Sequence, residues 1–162
     1  MTESRHEHPW WRTADVVFGG SALLALILDY FWPLSFQTLG LGSGDSFWQH
    51  VLAVTLLLSG GAVIFLSKRA LRRAGETSAP DVATQRIVKH GMYRYSRNPL
   101  YLGLLLCYVG LGFGIDLPWL LILALPTMIL THWLLIRPEE RYLLQRFGRE
   151  FVQYKETVRR WL

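Results

Sequence analysis

Hydrophobic and polar positions alternate along this chain in long blocks rather than in short periods. Four nearly unbroken apolar stretches stand out, at roughly 16–34, 47–67, 99–115 and 118–136. A helix rises 1.5 Å per residue, so about 20 apolar residues cover the hydrocarbon core of a bilayer. Each block therefore predicts a membrane-spanning helix. The stretch "GFGIDLPW", residues 112–119, predicts a tight turn that makes the third and fourth spans an antiparallel hairpin. Ser59, Gly60 and Gly61 in the second span predict a site where a neighbouring helix comes close. That helix is expected to continue to about Ala74 and to stop at Gly75. Pro80 breaks any helix beyond it, and residues 84–90 read as short extended structure.

After Ile136 the pattern changes. Leu143, Leu144, Phe147, Phe151 and Tyr154 recur at three- and four-residue spacing among charges. This predicts one or two amphipathic helices lying against the membrane or the bundle. Residues 1–12 form a polar arm expected to be mobile, and residues 33–47 form a Gly/Ser-rich outer loop. The expected fold is all-α: a polytopic membrane bundle of about four transmembrane helices with cytoplasmic C-terminal amphipathic helices, in one domain over residues 1–162.

Charge gives the bundle an orientation. The chain holds 17 Lys and Arg among 162 residues, of which 51% are hydrophobic. All 17 fall in three segments: the N-terminal arm, residues 68–98, and the tail after Ile136. Loops 35–46 and 116–117 carry none. With four crossings the three basic segments share one face, which the positive-inside rule makes cytoplasmic, with both termini inside. The expected location is the inner (plasma) membrane. Trp10, Trp11, Trp32, Trp48, Trp119 and Trp133 sit near span ends, as aromatic belts do. The net charge of +5 would suit nucleic acid, but its segregation into loops between apolar spans argues against that partner.

The chemistry on offer is narrow. Cys107 is the one cysteine and lies within an apolar span, so it forms no intrachain disulfide and reads as a packing residue. The five His show no ligand spacing, and no metal site is expected. His132 lies about a turn before Arg137 and either packs between helices or reaches a site. No G-x-G-x-x-G loop follows a strand, which excludes a soluble dinucleotide-fold methyltransferase. What remains is polar residues at the open end of the hairpin. "GMYRYSRNPLY", residues 91–101, and "RPEER", residues 137–141, are some 40 residues apart but should meet in space. Arginines and tyrosines at helix ends also snorkel to headgroups without further purpose. The combined set, with Glu139 and Glu140 opposite, is the better candidate for a site. Pro99 suits the first turn of a helix, whose free N–H groups can hold an anion.

These two stretches carry a family resemblance. "GMYRYSRNPLYLG" and "RPEERYLLQRFGREFVQYKETVRRW" resemble the membrane methyltransferases typified by isoprenylcysteine carboxyl methyltransferase, to which phospholipid methyltransferases are related. The pattern is matched at Gly91, Tyr93, Arg97, Pro99, Tyr101 and Gly103. It is matched again at Glu139, Glu140, Leu143, Phe147, Gly148, Phe151, Tyr154 and the Arg159, Arg160 end. The resemblance covers residues 84–162, which it makes the cofactor-binding catalytic half. It implies S-adenosylmethionine-dependent methyl transfer to a lipophilic or prenylated acceptor drawn from the bilayer. It places cofactor contacts on Gln85, Arg86, Ile87, Val88, Tyr93, Asn98, Pro99, Leu100, Tyr101 and one or both of Glu139 and Glu140. Arg137 falls to the substrate and reacting centre, with Glu140 as its catalytic neighbour. Asn98 stands where the founding branch has His; it hydrogen-bonds but carries no proton.

A carboxylate acceptor is already ionised and needs no base, whereas an amine would require Glu139 or Glu140 to take a proton. Isoprenylcysteine-like carboxylate O-methylation is favoured over ethanolamine N-methylation. The rival readings are an NADPH-dependent sterol-reductase-like protein and a non-enzymatic lipid-binding membrane protein.

Overall fold

The apolar blocks become helices that follow one another with short breaks. The computed structural model describes residues 13–40, 47–76 and 85–161. Helix α1 runs Ala14–Phe31 and α2 Phe47–Arg73. A single 3-10 turn, Gly91–Arg94, precedes α3, Pro99–Gly114. Helix α4, Pro118–Thr131, passes through a π-helical stretch, His132–Ile136, directly into α5, Arg137–Phe147. Helix α6, Arg149–Thr157, follows Gly148. Among the described residues there is no strand. The N-terminal arm, Pro80 and Thr84 lie outside the described residues.

Among the described residues three helices are long and apolar enough to cross a membrane: Ala14–Phe31, Phe47–Arg73 and the continuous rod Pro118–Phe147. Helix α3 is apolar throughout but has 16 residues, about 24 Å, roughly one turn short of the hydrocarbon thickness. Of the about four spans expected, three reach spanning length among the described residues, and α3 is the short one. Pro99 fixes where α3 begins, and the turn at Asp116, with φ of 53°, fixes where it ends. The last rod is longer than expected because the helix does not stop at Ile136. Its apolar part does stop there, and the charged turn from Arg137 to Arg141 lies beyond it.

Glycine sets the central packing. The most extensive helix contact joins α2 and α3. A Cβ on Gly60 would stand 2.7 Å from the Gly103 carbonyl oxygen and 2.7 Å from Cys107 Sγ. One on Gly103 would stand 2.6 Å from Ile64 Cγ1 and 2.9 Å from the Gly60 carbonyl oxygen. Lipid tails are as apolar as leucine, so helices in a bilayer gain by close fit rather than by leaving water. Gly61, expected to share this role, faces open space.

Helix α1 joins by other means. Ser21 Oγ hydrogen-bonds Tyr108 Oη at 2.7 Å on α3 and Thr127 Oγ1 at 2.5 Å on α4. Phe18 meets the Tyr108 ring edge-on at 5.8 Å. At the outer end Trp119 Nε1 donates to the Trp32 carbonyl at 2.9 Å, and the Phe36 N–H donates to Asp116 Oδ1 at 2.9 Å. Leu23, Leu58 and Leu125 stay well exposed on the outside, the arrangement of a surface solvated by lipid.

Candidate active site at the open end of the hairpin

The start of α3 is held by the far end of the chain. Residues 158–161 run back under the segment before Pro99. The Arg97 N–H donates to the Arg159 carbonyl at 3.0 Å. The Arg160 carbonyl accepts from Asn98 Nδ2 at 3.1 Å and from Ser96 Oγ at 3.2 Å. Ser96, Asn98 and Pro99 are buried. Asn98 therefore spends its amide on the C-terminal tail and gives α3 no side-chain cap. The N–H groups of Leu100 and Tyr101 in the first turn have no partner within the helix.

Helix α6 locks the same loop from its other side. Phe151, Tyr154 and Val158 form a small core with Ile87, Leu143 and Phe147. From it Tyr154 Oη donates to the Tyr93 carbonyl at 2.7 Å. Leu144, expected on this apolar face, is exposed instead. Lys89 pairs with Glu150 at 2.9 Å. Burial pushes the Tyr154 phenol up to about 12, against the opposing pull of Arg97. Burial, then Glu139 and Tyr154, raise the Tyr93 phenol above its ordinary value. Both hydroxyls stay protonated and able to donate.

Glu140 is the centre of charge. Arg160 grips it at two points, Nη2 to Oε2 at 2.7 Å and Nε to Oε1 at 3.1 Å. Arg97 Nη1 approaches Oε1 to 2.9 Å from the opposite segment. The side chains of Arg97 and Glu140 are only 12% and 16% exposed, which strengthens the pair relative to a surface one. Burial pushes the Glu140 carboxyl up, but Arg160 and Arg97 outweigh it and hold it below the ordinary carboxylate value. For Arg97, burial lowers the guanidinium and Glu140 raises it again. Arg97 Nε is buried without an acceptor, and Nη1 makes its ion pair without hydrogen-bond alignment. A buried guanidinium with an unused donor is rare unless something else takes it.

The residues expected at the site divide accordingly. Tyr93, Asn98, Pro99, Leu100, Tyr101, Glu139 and Glu140 come together; Tyr101 Oη lies 3.5 Å from Glu139 Oε2, a long contact. Ile87 and Val88 are packing residues beneath the loop. Gln85 and Arg86 are exposed, and the Gln85 N–H donates to the Glu76 carboxylate at 3.0 Å. Arg137 lays its guanidinium 3.8 Å over the Trp133 ring, one turn back on its own rod, and makes no ion pair among the described residues. His132 makes an edge-on contact with the Trp133 ring at 5.9 Å. Arg160 and Ser96 were not expected as site residues. Arg160 had been legible only as part of a basic end, and nothing local marks Ser96.

The sequence pattern of the phospholipid methyltransferase family matches residues 48–150, well over half of the chain. The chain belongs to the phospholipid methyltransferase family. The chain is 34% identical over 98 residues to the protein-S-isoprenylcysteine O-methyltransferase of Saccharomyces cerevisiae, covering 55% of this chain. The chain spans 39% of the length of that relative. No solved structure matches the chain significantly. The family match begins with α2 and takes in the α2–α3 crossing, the 3-10 turn, Arg97 and both glutamates. Helix α1 and Arg160 fall outside it.

Proposed function

We propose that this protein is an S-adenosylmethionine-dependent membrane methyltransferase whose acceptor is a lipophilic carboxylate of the isoprenylcysteine type. The observation that carries this reading is the meeting of the two family stretches at Arg97 and Glu140, where a buried guanidinium keeps an unused donor beside the unpartnered N–H groups of α3. That donor set fits the amino-acid carboxylate of the cofactor. Arg97, with the first-turn N–H groups of Leu100 and Tyr101, would hold it. Tyr93 and Tyr101 would offer aromatic faces to its adenine or its sulfonium. When bound, S-adenosylmethionine supplies a methyl group on a positively charged sulfur, ready for in-line displacement. The protein's part is then positioning and exclusion of water.

A carboxylate acceptor agrees with the state of Glu140. A carboxyl held below its ordinary value by two guanidiniums is a poor proton acceptor. An amine acceptor needs one; an ionised carboxylate does not. The family description favours a second reading, ethanolamine N-methylation of a phospholipid, in which Glu139 would serve as base. Arg137, which rests on Trp133 at the end of the apolar rod, would meet an acceptor carboxylate arriving from the bilayer. In this reading α3 completes a four-helix crossing, and both termini lie on the cytoplasmic side of the inner membrane, where the soluble cofactor is.

The test uses detergent-purified protein with a radiolabelled methyl donor. Transfer to a prenylcysteine analogue and not to phosphatidylethanolamine is expected. Transfer only to the phospholipid selects the second reading. Thermal stabilisation by NADPH without any by S-adenosylhomocysteine overturns both.

A further inference from the structure

A second feature at the same membrane level takes no part in the cluster around Glu140. A cleft of about 570 Å³ opens between the C-terminal turns of α2 and the loop at the Gly91–Arg94 turn. Leu66 and Ala70 on α2, with Met92 and Tyr95 on the loop, give it apolar walls. Arg69, Arg73, Arg94 and His90 line it as well. The walls come close because both sides are small where they meet: a Cβ on Gly91 would stand 3.1 Å from Ala70 Cβ.

Its depth follows from α2. The apolar body of that helix, residues 47–67, spans about 31 Å, the thickness of the hydrocarbon core. Leu66 therefore lies at the edge of the acyl region, and Arg69 and Arg73 at headgroup level. Among the described residues Arg69, Arg73 and Arg94 have no carboxylate within ion-pair range, whereas Lys89, Arg97 and Arg160 are each paired. Three unpaired guanidiniums gathered on an amphipathic cleft repel one another unless an anion joins them. A basic pocket beside a transmembrane helix, greasy at its inner end, suits a lipid phosphate whose chain runs along the apolar wall.

We propose that this cleft is a binding site for an anionic phospholipid, whose phosphate is held by Arg69, Arg73 and Arg94 and whose acyl chain lies toward Leu66. The lipid bridges α2 to the loop that leads into α3, and so braces the candidate active site without being methylated. This rests on α2 crossing the bilayer and not on the identity of the reaction.

The probe is phosphatidylglycerol added in mixed micelles to delipidated full-length protein, with binding read by native mass spectrometry and by thermal shift. Preferential binding and stabilisation relative to phosphatidylcholine are expected. Each arginine removed should weaken binding about fivefold, and Arg69→Gln/Arg73→Gln/Arg94→Gln together roughly 100-fold. Lys68→Gln/Arg72→Gln, two cations at the same depth that do not line the cleft, should change it little. Should the triple variant fail to fold, Arg94→Gln alone carries the test at fivefold. Equal stabilisation by phosphatidylcholine overturns the proposal. So does equal stabilisation by free glycerol phosphate, which marks a soluble-anion site, or an equal loss in the control pair, which marks diffuse surface charge. Loss of S-adenosylhomocysteine binding with lipid binding unchanged assigns the cleft to the methyl donor instead. Failure of methyl transfer in the wild type, with lipid preference intact, leaves this site standing and removes only the proposed reaction.

Discussion

The flank of α3 and its first turn are held by opposite kinds of chemistry. Along its length α3 lies on α2 through backbone approach at Gly60 and Gly103, with no room for a methyl group between them. At its first turn it is held by hydrogen bonds and charge: Ser96 and Asn98 to the tail, Arg97 to Glu140, and Glu140 to Arg160. The first arrangement is saturated. The second leaves a buried Arg97 donor without an acceptor among the described residues, and its first-turn N–H groups have no partner within the helix. Shape alone fastens the scaffold, while the polar end stays incomplete in a way that another molecule can complete.

The sharpest way to break the scaffold is Gly103→Leu. The new side chain would strike Ile64 and the Gly60 backbone, and α2 cannot move aside without losing the crossing. A loss of about 3 kcal/mol is expected, read as a collapse of monodisperse yield and melting temperature whether or not ligand is present. Gly61→Ala, one residue from Gly60 but facing open space, should be tolerated in the same assay.

The polar end should respond differently. Glu140→Ala leaves Arg97 buried without its counter-charge and is expected to cost about 2 kcal/mol, less than a fully buried pair because Arg160 is partly exposed. Its distinguishing mark is the loss of stabilisation by S-adenosylhomocysteine, with α2–α3 intact by cysteine crosslinking. A variant that melts early but responds normally to the ligand would separate Glu140 from the site.

A smaller effect separates the flank from the first turn by acid. The Glu140 carboxyl sits below its unfolded value in the folded protein, so its contribution to stability is present above about pH 4.5. That contribution is lost as pH falls through the lower, folded value. Glu140→Gln should flatten this acid limb of the melting curve, and Gly61→Ala should leave it unchanged. Smallest of all, Ser21→Ala should cost about 1 kcal/mol, for two interhelical hydrogen bonds at about 0.6 kcal/mol each.

The sequence was most readable where one property repeats over many residues. The spans, the hairpin turn and the amphipathic tail all follow from runs of like residues. The bounds of α3 were read to within a residue: Ile115 is apolar, but it already caps the helix before the turn at Asp116. Gly60 and Gly61 are identical as letters, and only the phase of the helix decides which one meets α3. At the site, the two motif stretches were rightly expected to meet. The partner of Glu140 was not legible: Arg160 reaches it only because Tyr154 and the Phe151 core bring the tail back under Asn98. Such pairing across 20 residues is a product of tertiary packing, and no local pattern announces it. Arg137 shows the converse. Its guanidinium lies over Trp133, one turn back on the same rod, a contact that the local spacing itself offers.

The triad of Ser21, Tyr108 and Thr127 makes α1 an exchangeable stave. The match to the family begins after this helix, and its moorings are an apolar seam of Phe18, Ala22 and Ala25, one hydroxyl group at mid-depth and the outer-rim bond at Trp32. A foreign apolar helix offering a serine at that depth would dock against the same two hydroxyls. Such a graft gives an engineer a place to attach a reporter or an anchor without touching the chemistry at the other end.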